Sequence, residues 1–129
     1  ITMTTRILLT LAALLVTPWV FAEDINGFWK HPEAPAWIEI SLEEGKATVL
    51  RNDKFPERVG REVIKDLKAD EAEAGLWHGQ VYVERMDEYK QAKISQPAPG
   101  RMEFKVKVGF ISRTIEWVRV DQVPPAPSE

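Results

Sequence analysis

The sequence predicts an all-β protein folded as a small antiparallel up-and-down barrel of about eight strands. Apolar and polar residues alternate with period two along many short runs, and turn-forming residues separate those runs. Beyond residue 22, no convincing apolar stripe recurs at helical spacing. Eight short strands must close on themselves or leave unpaired edges, and closure into a barrel removes the edges.

The clearest strand spans residues 102–108, where apolar and charged residues alternate. One face carries Met102, Phe104, Val106 and Val108, and the other carries Glu103, Lys105 and Lys107. The runs at 77–83 and 37–42 alternate in the same way. Weaker runs at 28–31, 46–51, 61–67, 89–95 and 113–120 complete the set. Each strand is therefore expected to bury one face and to expose the other to water.

The segments between these runs carry turn residues. Glu43-Glu44-Gly45 predicts a tight hairpin, residues 52–56 predict a longer bend, and residues 96–100 contain two prolines. Residues 69–75 are acidic and alanine-rich, which is compatible with one helical turn or with a solvated loop.

Residues 1–22 have the pattern of a secretory signal peptide. Arg6 gives a basic start, an apolar run covers 7–16, and small or modest residues precede a cleavage position before Glu23. The run is shorter than the roughly 20 residues that a bilayer-spanning helix needs. The sequence thus predicts a signal peptide at 1–22, a barrel domain at 23–121, a disordered proline-rich tail at 122–129, and a periplasmic or secreted location.

The amino-acid composition excludes several kinds of chemistry and disfavours several kinds of binding partner. The chain has no cysteine, which excludes disulfides, thiolate catalysis and lipidation at the cleavage position. Loss of Arg6 with the signal peptide would leave a net charge of −4. A net negative charge disfavours binding to nucleic acid and to anionic membranes, which are also negatively charged. No stable membrane insertion is expected after cleavage.

Several segments, taken in order, are similar to a known family. They are Gly27-Phe28-Trp29, 76–82, Tyr89 with 92–94, 106–110, and a final Arg-Thr-x-x-Trp-x-Arg-Val at 113–120. In this order they resemble the bacterial secreted family called domain of unknown function 2147, over roughly residues 25–120. Residues 52–61 follow the family pattern only loosely.

The resemblance implies a lipocalin-like, or calycin-like, barrel that binds small apolar ligands, with no catalytic activity established across the family. Gly27 and Trp29 resemble the Gly-x-Trp of lipocalins, whose tryptophan lies beneath an arginine of the last strand. Period-two alternation places Arg113 and Arg119 on one face of that strand. We expect Arg119, or alternatively Arg113, to form a structural clasp over Trp29 through a cation–π contact of about 0.5–2 kcal/mol.

Trp77, Tyr82 and Phe104 are the candidate ligand-binding residues, because aromatic side chains at a barrel mouth would accept an apolar or amphipathic molecule. The alternative is that these aromatic residues only pack the core. Trp37 and Tyr82, expected on outer faces, would instead suit a protein-interaction patch. The function expected first is therefore binding of a small ligand, and the alternative is a non-enzymatic structural or protein-interaction module of the cell envelope.

Enzyme chemistry has weak support. His31 and His78 have no second histidine or cysteine at metal-ligand spacing, so no metal and no cofactor is expected. The serines lie outside any nucleophile-elbow pattern, and no glycine-rich phosphate loop is present. The acidic cluster of Glu84, Asp87 and Glu88 is typical of a solvated turn. A hydrolase using Glu84 or His78 is the least favoured interpretation.

Overall fold

The computed structural model describes residues 24–125, so the predicted signal peptide and residues 126–129 of the predicted tail lie outside the described residues. The strands are β1 (Gly27–Lys30), β2 (Ala36–Ser41), β3 (Lys46–Asn52), β4 (Glu62–Ala69), β5 (Leu76–Val83), β6 (Glu88–Ala98), β7 (Arg101–Val108) and β8 (Ile111–Val120). A 3-10 turn at Pro56–Arg58 joins β3 to β4. Among the described residues, no helix has the length and apolar character of a membrane span.

The strands form a closed antiparallel barrel, which confirms the predicted fold class. Each strand pairs with the next along the chain. The ring closes where β8 pairs with β1, with Trp29 opposite Arg119 and Lys30 opposite Val118. Closure leaves no unpaired sheet edge within the described barrel.

The alternation seen in the sequence is the alternation of inside and outside. In β7, Met102, Phe104 and Val106 are buried, whereas Lys105 and Lys107 are exposed. The alternation is less regular in β4 and β8, but side chains from every strand fill the interior. They are Ile25, Trp29, Ile38, Ile40, Ala47, Val49, Ile64, Leu67, Trp77, Val81, Ala92, Ile94, Met102, Phe104, Val106 and Trp117.

The acidic segment after β4 is a loop and not a helical turn. The Asp70 carboxylate accepts hydrogen bonds from the backbone N–H groups of Ala72 and Glu73, at 3.0 and 2.7 Å. A side chain that satisfies nearby backbone donors in this way favours a turn over a helix.

The loops fall at two ends of the barrel. The end that we call the clasp end holds the start of β1, the end of β8 and the loops at 42–45, 70–75 and 99–100. The opposite end, which we call the rim, holds the loops at 31–35, 53–61, 84–87 and 109–110. Side chains at the clasp end and at the rim lie at opposite ends of the barrel and therefore belong to different sites.

Candidate functional site

The clasp end is closed by Trp29 and Arg119. Trp29 is fully buried, and its indole N–H donates to the carbonyl oxygen of Ile25 at 2.9 Å. The Arg119 guanidinium lies 4.4 Å from the centre of the Trp29 ring. It also donates to the carbonyl oxygens of Asp24 and Asn26, at 2.6 and 2.8 Å. These contacts tie the segment before β1 to the last strand.

Gly27 belongs to this clasp because the guanidinium approaches its backbone closely. A Cβ atom at this position would lie 3.1 Å from Nη1 of Arg119, and the φ angle of +120° is one that other residues rarely adopt. Of the two arginines considered for the clasp, Arg119 occupies the position over Trp29. Arg113 lies opposite Val106 and is exposed.

The three aromatic residues predicted to bind ligand are not brought together. Trp77 and Phe104 are buried in the interior. Tyr82 lies on the outer wall, where its hydroxyl donates to Asp87 and its ring packs against Tyr89 at 5.4 Å. Any site in the barrel can therefore use Trp77 and Phe104 but not Tyr82.

Trp117 is a core residue whose indole N–H has no hydrogen-bond acceptor within the described part of the chain. It is 8% exposed, and its ring packs against Phe104 at 5.6 Å. Among the described residues, no hydrogen-bond acceptor reaches its Nε1 atom, and the same holds for the buried amide nitrogen of Gln96. Met102 lies directly opposite Trp117, and Gln96 follows in the irregular stretch of β6 that faces β7. Two buried donors, the Trp117 indole N–H and the Gln96 amide, thus lack an acceptor among the described residues.

His31 covers this region from the rim. Its ring meets the edge of Trp117 at 5.5 Å, and its Nδ1 atom accepts the backbone N–H of Glu33 at 3.0 Å. Burial lowers the pKa of His31, an effect that Glu33 opposes and Lys30 reinforces. His31 on the loop at 31–35 therefore contacts the Trp117 ring, and burial disfavours its charged form there.

The rim collects the large apolar side chains that the described barrel exposes. They are Val59, Met86, Phe110 and Ile111, and each belongs to a rim loop or begins the strand after one. Exposed apolar residues gathered at one end of a barrel suit an apolar ligand or surface better than water. Sequence alternation did not single them out, because they lie in turns.

The residues considered for hydrolysis lie apart. The Asp70 carboxylate accepts a 2.7 Å hydrogen bond from Nε2 of His78 beside the clasp end, and this bond is the main cause of the lowered pKa of Asp70. Glu84 lies in a rim loop, ion-paired with Arg61 and Arg58. Among residues 24–125, no three His, Asp or Glu side chains converge as a metal ion would require.

Trp37 does not form the exposed patch considered for it. It faces outward from β2 but is only 7% exposed, because Arg51 stacks on its ring at 4.5 Å and Lys30 lies at 5.4 Å. The Arg51 guanidinium also donates to the carbonyl oxygens of Pro124 and Pro125, both at 2.8 Å. The chain beyond β8 therefore contacts the same side of the barrel.

The fold and the clasp define a lipocalin-like barrel. The chain is similar to protein HP1028 from Helicobacter pylori, which is described as belonging to the lipocalin family, with 18% identity and a TM-score of 0.53. The alignment covers 76% of this chain and 84% of that one. No protein-family model and no curated protein matches the sequence. The likeness shows the fold, and membership of domain of unknown function 2147 stays a prediction.

Proposed function

We propose that the protein binds a small amphipathic molecule that enters from the rim and places a hydrogen-bond acceptor against Trp117. The observation that carries the proposal is the buried indole N–H of Trp117, for which the described residues supply no acceptor. Leaving such a donor unpaired costs about 1–3 kcal/mol, so a ligand oxygen that accepts from it is stabilised.

The surroundings of Trp117 support the same function. Phe104 and Met102 offer apolar contacts, and the exposed residues of the rim offer more where a hydrocarbon chain would leave the barrel. His31 contacts Trp117, so movement of the loop at 31–35 would open this side of Trp117 to the ligand. The leader pattern at 1–22 supports a location in the bacterial cell envelope, which is part of this proposal.

A matched ligand pair tests the proposal. The probes are 2-octanone, whose carbonyl accepts a hydrogen bond, and n-octane, which has no acceptor. Binding is read from tryptophan fluorescence and from the rise in melting temperature that a ligand of the folded state produces. We expect 2-octanone to bind more tightly than n-octane, by about three- to tenfold for one net hydrogen bond.

Trp117→Phe keeps an aromatic ring and removes the N–H donor, so it should erase the preference for the ketone. Trp37→Phe makes the same chemical change on the outer wall and should leave that preference intact. The proposal fails if neither probe binds, or if the preference survives in Trp117→Phe.

A further inference from the structure

A row of basic side chains crosses the outer wall of the barrel. Strand register places Lys68, His78, Lys93 and Lys105 in line across β4, β5, β6 and β7. Lys107 lies two residues beyond Lys105 on the same face of β7. Opposed residues in such ladders have Cβ atoms about 4.5–5.5 Å apart, and like charges there repel each other.

The four lysines of this wall are not paired with carboxylates of the described residues. Among the described residues, none of the four ammonium groups takes part in an ion pair, although eight other contacts of that kind are present. Two carboxylates lie beside the row: Asp66 accepts a 2.9 Å hydrogen bond from Gln80, and Asp70 is hydrogen-bonded to His78 at 2.7 Å. Glu103 lies one step further along β7. The wall is locally cationic on a chain whose net charge is −3.

The row borders a shallow groove of about 770 Å³ on this wall. All four lysines line the groove, together with uncharged hydrogen-bonding side chains from β5, β6 and β8. These are Gln80, Gln91 and Ser112. Positive charge and neutral donors in one concave surface suit phosphate oxygens.

The β7–β8 hairpin, which holds part of this basic surface, ends in an apolar tip. Phe110 is fully exposed and Ile111 is 64% exposed. Lys107 and Arg113, also exposed, lie on the two strands just behind the tip. An apolar tip with a basic collar matches a lipid interface, where hydrocarbon lies beneath anionic headgroups.

We infer that the β7–β8 hairpin docks the barrel on an anionic phospholipid surface, with Phe110 and Ile111 in the interfacial layer and Lys93, Lys105 and Lys107 on headgroup phosphates. The net negative charge of the chain argues against such a partner. Four lysines without an ion-pair partner among the described residues nevertheless share one wall. A soluble polyanion would use the lysines but would gain nothing from Phe110, and the exposed tip therefore favours a lipid surface.

Vesicle co-sedimentation tests the inference. The protein begins at Glu23, because the apolar residues 1–22 would bind lipid themselves and every strand of the barrel lies after them. Vesicles of equal parts phosphatidylglycerol and phosphatidylcholine are compared with phosphatidylcholine alone. We expect binding to the anionic vesicles only, and weaker binding at high salt, since screening shortens the reach of exposed charges.

Matched variants separate the two parts of the surface. Lys105→Gln/Lys107→Gln should weaken vesicle binding about 25-fold, since each lysine near an anionic surface contributes about fivefold. Lys46→Gln/Lys54→Gln makes the same charge change elsewhere and should weaken vesicle binding far less.

The apolar tip is tested separately. Phe110→Ser should weaken vesicle binding about tenfold or more, whereas Val59→Ser, a similar change on another rim loop, should not. Circular dichroism confirms that each variant is folded.

Three results would overturn the inference. One is equal binding to anionic and neutral vesicles, and another is no binding to either. The third is lysine-dependent binding that Phe110→Ser leaves unchanged and that soluble polyphosphate matches, which would identify a polyanion site. The outcome is independent of the proposed ligand, because 2-octanone binding is measured without lipid and Lys105→Gln/Lys107→Gln leaves Trp117 untouched.

Discussion

At the scale of single residues, His31 makes the stability of the folded protein depend on pH. Its pKa is lowered mainly by burial, so the unfolded chain takes up a proton at a higher pH than the folded protein does. The stability contributed by the neutral ring is therefore complete above about pH 6.5, the ordinary pKa of histidine, and is lost as the pH falls through the folded-state pKa.

We predict that the free energy of unfolding of the wild type decreases from pH 7 to pH 5 and that His31→Gln removes part of this decrease. Urea denaturation at each pH measures it. Glu33 raises the pKa of His31, so Glu33→Gln should lower that pKa further and steepen the loss. Equal pH dependence in the wild type and His31→Gln would contradict this assignment.

Trp29 is the residue whose removal should harm stability most directly. It is fully buried, and its ring lies between the core and the Arg119 guanidinium. We predict that Trp29→Ala lowers the free energy of unfolding by about 3–5 kcal/mol, a range typical of large-to-small changes in a core. Chemical denaturation measures the change.

The control for Trp29→Ala is Phe110→Ala, which removes an aromatic ring that the barrel does not cover. Changes at such surface positions usually stay within about 0.5 kcal/mol. If both variants had the same stability as the wild type, Trp29 would not belong to the core in solution.

At the scale of elements, the β2–β3 hairpin is held against β4. The carbonyl oxygen of Gly45 accepts the N–H of Leu67 at 2.9 Å. Gly45 has a φ angle of +68°, and a Cβ atom there would lie 3.2 Å from the Leu67 carbonyl oxygen. This position therefore requires glycine for its backbone angle and for the close approach of another strand.

Gly109 allows the effect of the backbone angle to be separated from the effect of close approach by another strand. Its φ angle is +64°, but nothing lies within 4 Å of a Cβ built there. We predict that Gly109→Ala costs about 1–2 kcal/mol of unfolding free energy from the backbone angle alone. Gly45→Ala should cost at least about 1 kcal/mol more, because β4 must move. Thermal and urea unfolding of the two variants give the comparison, and equal losses would show that the hairpin does not press on β4.

Sequence alternation located the elements because most strands bury one face. The predicted run at 102–108 is β7 from Arg101 to Val108, and the weaker run at 113–120 lies within β8. The interior placement of Trp77 and Phe104 follows from the same period. Two features could not be predicted this way. The cover over Trp37 comes from Arg51 and from residues after β8, and the unpaired N–H of Trp117 depends on which acceptors the folded barrel brings near it.

At the scale of the whole molecule, the lysine row is a feature that only the folded barrel produces. Lys68, Lys93 and Lys105 are spread over three strands and lie far apart in the sequence. Their alignment requires the register of β4 with β5, β5 with β6 and β6 with β7. Net charge could not reveal it, because net charge ignores where side chains meet.

Ring closure predicts that the barrel unfolds as one unit. β1 has only four residues, yet it pairs with β2 on one side and with β8 on the other, and Arg119 of β8 stacks on its Trp29. A short strand at an open edge would fray at little cost, whereas β1 in a closed ring can leave only if two ladders and the clasp break together.

Native-state hydrogen exchange measures this cooperativity. We predict that the slowest amides of β1 exchange with the same free energy as those of β6, which lies far from the closure, and that Trp29→Ala lowers both values equally. The hairpin tip at Phe110 provides the fast-exchanging reference. Amides of β1 that exchange far faster than those of β6 would show that the ring opens between β1 and β8. In that case, the clasp would stabilise only one end of the barrel and not the closed ring.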